Sequence, residues 1–256
     1  MVVEAATWRP LAEHRVGAWR LGLSGGFTRR ANCVLVTEAP LDVVAAMDES
    51  EAFYAAHGLP CVVRADVSTP TAVVAELDRR GYRLVATTAV LVRDLPAEPG
   101  RADLEDVVLG SGREARLTTA DHAEAAWVDL WLNVKTATAA VEPGDVREVA
   151  RQIVNGSPAS YLTVWDGDQP VAVARVAHAG EWAGLSCLMV GADARRRGLA
   201  VALTSAAMHE AARHGAARAF LQVEIGNQGA TVLYRRMGFE EAERYHYREQ
   251  ERILAG

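Results

Sequence analysis

The chain has 256 residues, half of them hydrophobic and 23% charged, which is enough apolar surface for a packed core and excludes a globally disordered polymer. Its length suits two domains of ordinary size. A net charge of −6 gives no overall pull toward nucleic acid or an anionic membrane, and no run approaches the roughly 18 uninterrupted apolar residues of a membrane span, so a cytoplasmic protein with neither partner is expected.

In chain order, Trp19–Val36 reads as two strand segments interrupted at Gly25 and Gly26. Asp42–His57 carries apolar residues at helical spacing and stops at Gly58, with Pro60 close behind. Cys61–Ala65 is a strand, Thr71–Arg80 a helix closed by Gly81, and Tyr82–Val92 another strand. The stretch Leu95–Asp103 holds two prolines and a glycine and gives the domain junction, hence domains 1–100 and 101–256; Gly110-Ser111-Gly112 marks its other possible limit. The second half opens with a strand at Ala115–Leu117, a helix from about Thr119 and a helix over Asp145–Val154. Strands Tyr161–Trp165, Pro170–His178 and Trp182–Val190 follow as an antiparallel meander, the first two joined by the hairpin signal Asp166-Gly167-Asp168. After a basic turn over Asp193–Ala200 come an alanine-rich helix to His214, a strand Ala219–Glu224, a short helix Ala230–Met237 and a last strand Phe239–Tyr247.

The informative chemistry lies in Leu188–Ala200, a strand end running through a basic turn into a helix. A helix start leaves free amides and a partial positive charge, Gly198 lets backbone approach a ligand, and Arg195, Arg196 and Arg197 add charge-assisted donors, all of which favour a pyrophosphate. The bland alternative is a solvated turn; the strand, glycine and helix in register speak against it. The segment is neither a Walker loop nor a GxGxxG dinucleotide fingerprint. Cys33, Cys61 and Cys187 are odd in number and widely spaced, which suits buried thiols better than disulfides or zinc, and His178, His209, His214 and His246 have no ligand spacing, so no metal is expected.

The spacing Arg195-x-x-Gly198-x-Ala200 after Leu188-Met189-Val190, followed by strand Ala219–Glu224, Asn227 and Val232–Phe239, resembles the GCN5-related N-acetyltransferases, from about Ala115 to the C-terminus. The resemblance implies an α/β (α+β) fold with a mixed, mostly antiparallel sheet flanked by helices, and acetyl-CoA held where two parallel strands, Trp182–Val190 and Ala219–Glu224, part. It implies cofactor contacts from Leu188, Met189 and Val190, from Arg195, Arg196, Arg197, Gly198, Leu199, Ala200 and Val201, and from Asn227 and Tyr234. Tyr234 is also implied as the general acid for the leaving thiolate, its bland reading being a packing aromatic. Glu181 and Glu224 are candidate bases for the amine, acting directly or through water, with the choice between them open and the ordinary reading being solvated strand ends.

Leu77–Tyr82 falls in register with Tyr234–Phe239, with leucine at the catalytic position, so the first half reads as a degenerate copy of the second in a tandem arrangement. Its Phe27–Asn32 segment offers Arg29, Arg30 and Asn32 for an acceptor carboxylate, or else a solvated strand edge. That segment, with Glu51–Pro60, resembles actinobacterial two-domain enzymes labelled N-acetylglutamate synthase-like, which implies a small amine acceptor such as L-glutamate. An antibiotic, another metabolite or a protein amine as acceptor, and a non-catalytic acyl-CoA sensor, stay open alongside, as does a monomer or a homodimer.

Overall fold

The computed structural model describes residues 2–96, 115–136 and 143–250, with side chains of 2, 134–136 and 143–145 left aside. The chain forms two units. The first contains Met1–Trp8, Leu91–Gln222 and Gly229–Glu240; the second contains Arg9–Val90, Val223–Gln228 and Glu241–Gly256. This departs from the expected linear division at residue 100, because the chain start belongs with the second half and the chain end with the first. The expected junction beyond Pro96, and Gly110–Gly112, lie outside the described residues.

The start of the chain is held by a buried cation. The short helix α1 (Val2–Thr7) ends in a carbonyl, Thr7 O, that accepts from Arg175 Nη1 at 2.9 Å and from Ser157 Oγ at 3.1 Å. Arg175 is 1% exposed, and its other bonds go to Val154 O at 2.7 Å and Ser157 Oγ at 2.6 Å. A buried guanidinium is tolerable where its donors are satisfied, and α1 supplies one of the acceptors.

In the second unit, β1 (Ala12–Val16) and β2 (Trp19–Leu23) form an antiparallel pair, and β2 continues antiparallel to β3 (Val34–Leu35). The first strand escapes sequence reading because four of its five residues are exposed. The expected strand over residues 27–33 is instead a turn containing a 3-10 segment, Arg29–Ala31. Helix α2 (Val43–Ala56) starts where the Asp42 carboxylate accepts from Ala45 N at 3.0 Å and buries Ala46, Met47, Ser50 and Tyr54 along one side. β4 (Val62–Asp66) lies parallel to β3, α3 (Thr71–Arg79) buries Val73 and Leu77, and β5 (Arg83–Asp94) follows. Trp19, Leu21, Val34, Met47, Tyr54, Val63, Val73 and Leu77 share one core. The last strand of the protein pairs antiparallel with β4, from Tyr245 opposite Asp66 to Glu249 opposite Val62.

In the first unit, β6 (Arg116–Ala120), β7 (Ala159–Asp166), β8 (Gln169–Ala179) and β9 (Trp182–Val190) are successive antiparallel neighbours, and β10 (Arg218–Glu224) joins β9 in parallel. The sheet is mixed and mostly antiparallel, as expected. Helix α4 (Ala125–Thr136) begins later than its expected start near Thr119, since Thr119 and Ala120 still pair with β7. It is followed by α5 (Pro143–Asn155), α6 (Leu199–Arg213) and α7 (Gln228–Arg236), after which β11 (Glu240–Glu249), apart from Glu240, belongs to the second unit as its strand beside β4. The two faces of the sheet have different covers. Arg175 and Tyr161 point to the side of α1, α4 and α5, where Trp127 packs on Tyr161; Ser160 points to α6, bonding Glu210. Among the described residues no helix is long and apolar enough to cross a membrane.

Candidate functional site

The end of β9 leads through a 3-10 turn, Ala192–Ala194, into three exposed arginines and then α6. Arg195 is extended and its Nε donates to Val190 O at 3.2 Å, folding the turn back on the strand. Arg196 has a φ of 63°, a left-handed value that is unusual for any residue with a side chain, and Gly198 follows at 78°. A Cβ on Gly198 would meet nothing within 4 Å, so the glycine is there for its backbone angle and not for room. Gly198 occupies the N-cap and supplies no side-chain cap, so the first amides of α6, over Leu199, Ala200 and Val201, point out of the helix without a side-chain acceptor. A helix of 15 residues adds its dipole. A helix start of this kind is favourable for an anion with several oxygens.

The strands beside it separate. Register between β10 and β9 runs from Arg218 opposite Trp182 to Leu221 opposite Leu185 and stops, while β9 continues to Val190 and β10 to Glu224. On its other side β9 is irregular: Val173 opposes Met189 and Arg175 opposes Ser186, so Cys187 and Leu188 together face Ala174 alone, with Cys187 at a φ of 55°. The bulge leaves Cys187 and Leu188 without one-to-one partners, while Met189 and Val190 rejoin the ladder opposite Val173 and Ala172; on the β10 side the register has already stopped at Leu185, so beyond it that edge of β9 is open to a partner other than a strand. Sequence reading named Leu188, Met189 and Val190 but carried no sign of the bulge.

Tyr234 sits on α7, its ring edge-on to Phe239 at 5.9 Å, and burial pushes its phenol up to about 12. The group therefore holds its proton at neutral pH, as an acid must. The same helix end is closed by Phe239 N and Met237 N donating to Tyr234 O, and Met237 O accepts from Arg93.

Glu181 stands at the start of the strand, as expected, and that is the end away from the gap. It precedes Trp182 at the opposite end of β9 from the bulge, 78% exposed, with Arg218 at 3.8 Å. At about 3.3 Å per residue, the seven positions from Glu181 to Leu188 span about 23 Å, too far for direct proton transfer. Its carbonyl, which accepts from Ala217 N and Arg218 N, has a structural task.

In the second unit, Glu224 at the end of β10 lies 3.8 Å from Arg29, both side chains being exposed, so two residues singled out separately are brought together. Asn32 is corrected. It is 6% exposed, its Oδ1 accepts from Ser24 N and Gly26 N at 2.7 and 3.0 Å, and its Nδ2 donates to Phe27 O and Thr28 O at 2.8 and 2.9 Å. Every hydrogen-bonding function of that amide serves its own loop, leaving none for an acceptor. Asn227 lies exposed in the turn before α7, its backbone N–H donating to Glu224 O at 2.8 Å. Among the described residues no group of histidine, cysteine and carboxylate side chains could hold a metal ion.

A parallel strand pair that parts beside a bulge, followed by an uncapped helix start on an arginine turn, is the architecture of a GNAT-type N-acetyltransferase. The chain belongs to the family described as "probable histone acetyltransferase Rv0428c C-terminal", whose model matches residues 2–248. An N-acetyltransferase of Bacillus subtilis (strain 168) described as uncharacterized, YobR, is 24% identical over 248 residues, covering 95% of this chain and 94% of its own. A GCN5-related N-acetyltransferase from Kribbella flavida superposes with a TM-score of 0.64 at 19% identity over 96% of this chain and 92% of that one. A tandem GNAT protein from the clavulanic acid biosynthesis pathway gives 0.62 at 15% identity, covering 98% and 87%.

Proposed function

We propose that the protein transfers the acetyl group of acetyl-CoA to a primary amine of a small molecule by direct attack. The observation that carries this reading is the parting of β10 from β9 beside the Cys187–Leu188 bulge, next to the uncapped start of α6. In this reading the α6 amides and the Arg195–Arg197 turn hold the pyrophosphate, and backbone near Leu188 and Val190 holds the pantetheine arm and polarises the thioester carbonyl. The neutral amine attacks that carbonyl, a C–N bond forms, the C–S bond breaks, and the departing thiolate takes the Tyr234 proton. The amine loses its own proton to water or to Glu224. Asn227 contacts the cofactor arm, and Arg29 and Arg30 attract an acceptor carboxylate. The second unit is a degenerate relative of the first, as in a tandem enzyme.

L-glutamate represents the carboxylate-bearing acceptors in the test. A second reading, acetylation of a protein amine, is favoured by the histone acetyltransferase description of the family. The deciding assay is thiol release from acetyl-CoA with purified protein against amino acids, polyamines, aminoglycosides and lysine peptides. Turnover with one class supports the enzyme and selects its acceptor; saturable acetyl-CoA binding without turnover on any class overturns the reading in favour of a sensor.

A further inference from the structure

One residue beyond the last paired positions of β10 and β9, Leu221 and Leu185, stand Gln222 and Ser186. Both amide atoms of Gln222 and the hydroxyl of Ser186 are buried, and none has a hydrogen-bond partner among the described residues. Buried polar groups are nearly always paired, so two side chains with orphaned groups at one point of a sheet call for a reason. Alternation along both strands places them on one face. It is the face of Phe220 and Gly184, where a Cβ on Gly184 would meet the Phe220 ring and Thr7 Oγ1, and the face of Arg175, which stands opposite Ser186 in the ladder. The arginine turn leads into α6, which covers the other face. The orphaned groups therefore sit in the mouth of the strand gap, on the side away from the helix whose start suits the phosphates.

We infer that Gln222 and Ser186 are the acceptor-reading residues of this enzyme, and that the group they read is an amide adjoining the amine to be acetylated. The inference rests on the acetyltransferase reading above. Its chemistry follows from what is unsatisfied. Gln222 offers a donor in Nε2 and an acceptor in Oε1, and Ser186 offers either. A peptide or carboxamide unit answers both, its carbonyl accepting from Nε2 or Oγ and its N–H donating to Oε1. A carboxylate answers the donors alone and leaves Oε1 unmade; a plain alkylamine has nothing to give the donors. Arg175, the cation on this face, is committed to Thr7, Val154 and Ser157. A site with fixed polar groups rejects an analogue that leaves them unpaired, here by about tenfold or more.

The test compares three matched amines, glycinamide, glycine and ethylamine, on the full-length protein with saturating acetyl-CoA. The expected result is kcat/KM for glycinamide at least about tenfold above both others, a preference that falls to about twofold in Gln222→Leu through a raised KM, with acetyl-CoA affinity unchanged. Ser186→Ala is the gentler variant, expected to lose part of the preference. A wild-type enzyme that uses the three amines equally, or a preference that survives in Gln222→Leu, overturns the inference. A second readout needs neither turnover nor mutation: the side-chain amide resonance of Gln222 in the CoA complex should shift on titration with glycinamide and not with ethylamine. If no amine is acetylated, the acetyltransferase reading fails while this resonance still decides the inference, an unmoved signal overturning it.

Discussion

A tyrosine whose phenol is pushed up to about 12 by burial is a poor donor to most bases, yet at neutral pH it is always loaded with its proton. Tyr234→Phe is expected to lower kcat by about a hundredfold while leaving the acetyl-CoA Kd unchanged, read by thiol release and by calorimetry. Unchanged turnover would leave the ring as a packing partner of Phe239 and nothing more. His178 makes a prediction of a different kind. Its Nε2 lies 3.0 Å from Ser160 Oγ, its ring stacks at 4.1 Å on His214, and burial, with His214 adding to it, pulls its pKa down to about 4. Glu210, bonded to Ser160, and Arg175 are the other charges that act on it. The unfolded chain binds this proton near 6.5 and the folded one only near 4, so the unfolded state holds more protons between those values. Stability is therefore fully present above about pH 6.5 and falls as pH drops toward 4. Thermal melting at pH 7 and pH 5 should show the decline, and His178→Asn should flatten it.

Two element boundaries carry costs that can be measured. Asp42 accepts from Ala45 N at the start of α2, and Asp42→Ala should destabilise by about 1 kcal/mol in urea unfolding. Gly198 has open space around its missing side chain, so Gly198→Ala would introduce only backbone strain, about 1 kcal/mol at a φ of 78°. Its expected signature is a raised acetyl-CoA Kd, because relaxing that strain moves the α6 amides. Both residues were legible as sequence, an aspartate before an apolar period and a glycine in an arginine turn. The remaining elements were legible in proportion to how regular their burial is. β7, β8 and β9 announce themselves by apolar runs and a hairpin turn, whereas β1 exposes four of five residues and α1 has too few to show a period. At the site, the arginine turn and Tyr234 stood out by type and spacing. The bulge at Cys187 and the orphaned Gln222 did not, since the first is a backbone angle and the second is defined by bonds it lacks. Asn32 misled for the converse reason, as a polar residue beside arginines can be spent on its own turn.

At the scale of the whole chain, Arg175 is the residue whose loss should be felt most widely. Arg175→Met keeps the volume but removes one donor each from Thr7 O, Val154 O and Ser157 Oγ, and about 2–4 kcal/mol of destabilisation is expected, with α1 the first segment to gain hydrogen exchange. No pattern in the sequence ties Thr7 to Arg175, because the bond joins residues 168 positions apart through a main-chain carbonyl. The same blindness hid the partner of β4. Tyr245 and Tyr247 are buried on β11, Arg64 lies over the Tyr245 ring at 3.6 Å, and Arg248 bonds Asp78 and Tyr82 O at 2.5 and 2.7 Å. A chain ending at Glu240 should leave residues 9–90 open to limited proteolysis.

That pairing also sets a timetable for biosynthesis. Residues 62–66 leave the ribosome long before their partners at 245–249 are made, and at about 5–20 residues per second the interval is on the order of ten seconds or more. Throughout it, a strand edge whose residues Val62, Val63, Arg64 and Ala65 are destined for burial stays without its neighbour, the kind of surface that nascent-chain chaperones shield and that other chains can capture. The earliest strands of the second unit therefore wait for one of the latest, and about 180 residues of other structure are made in between.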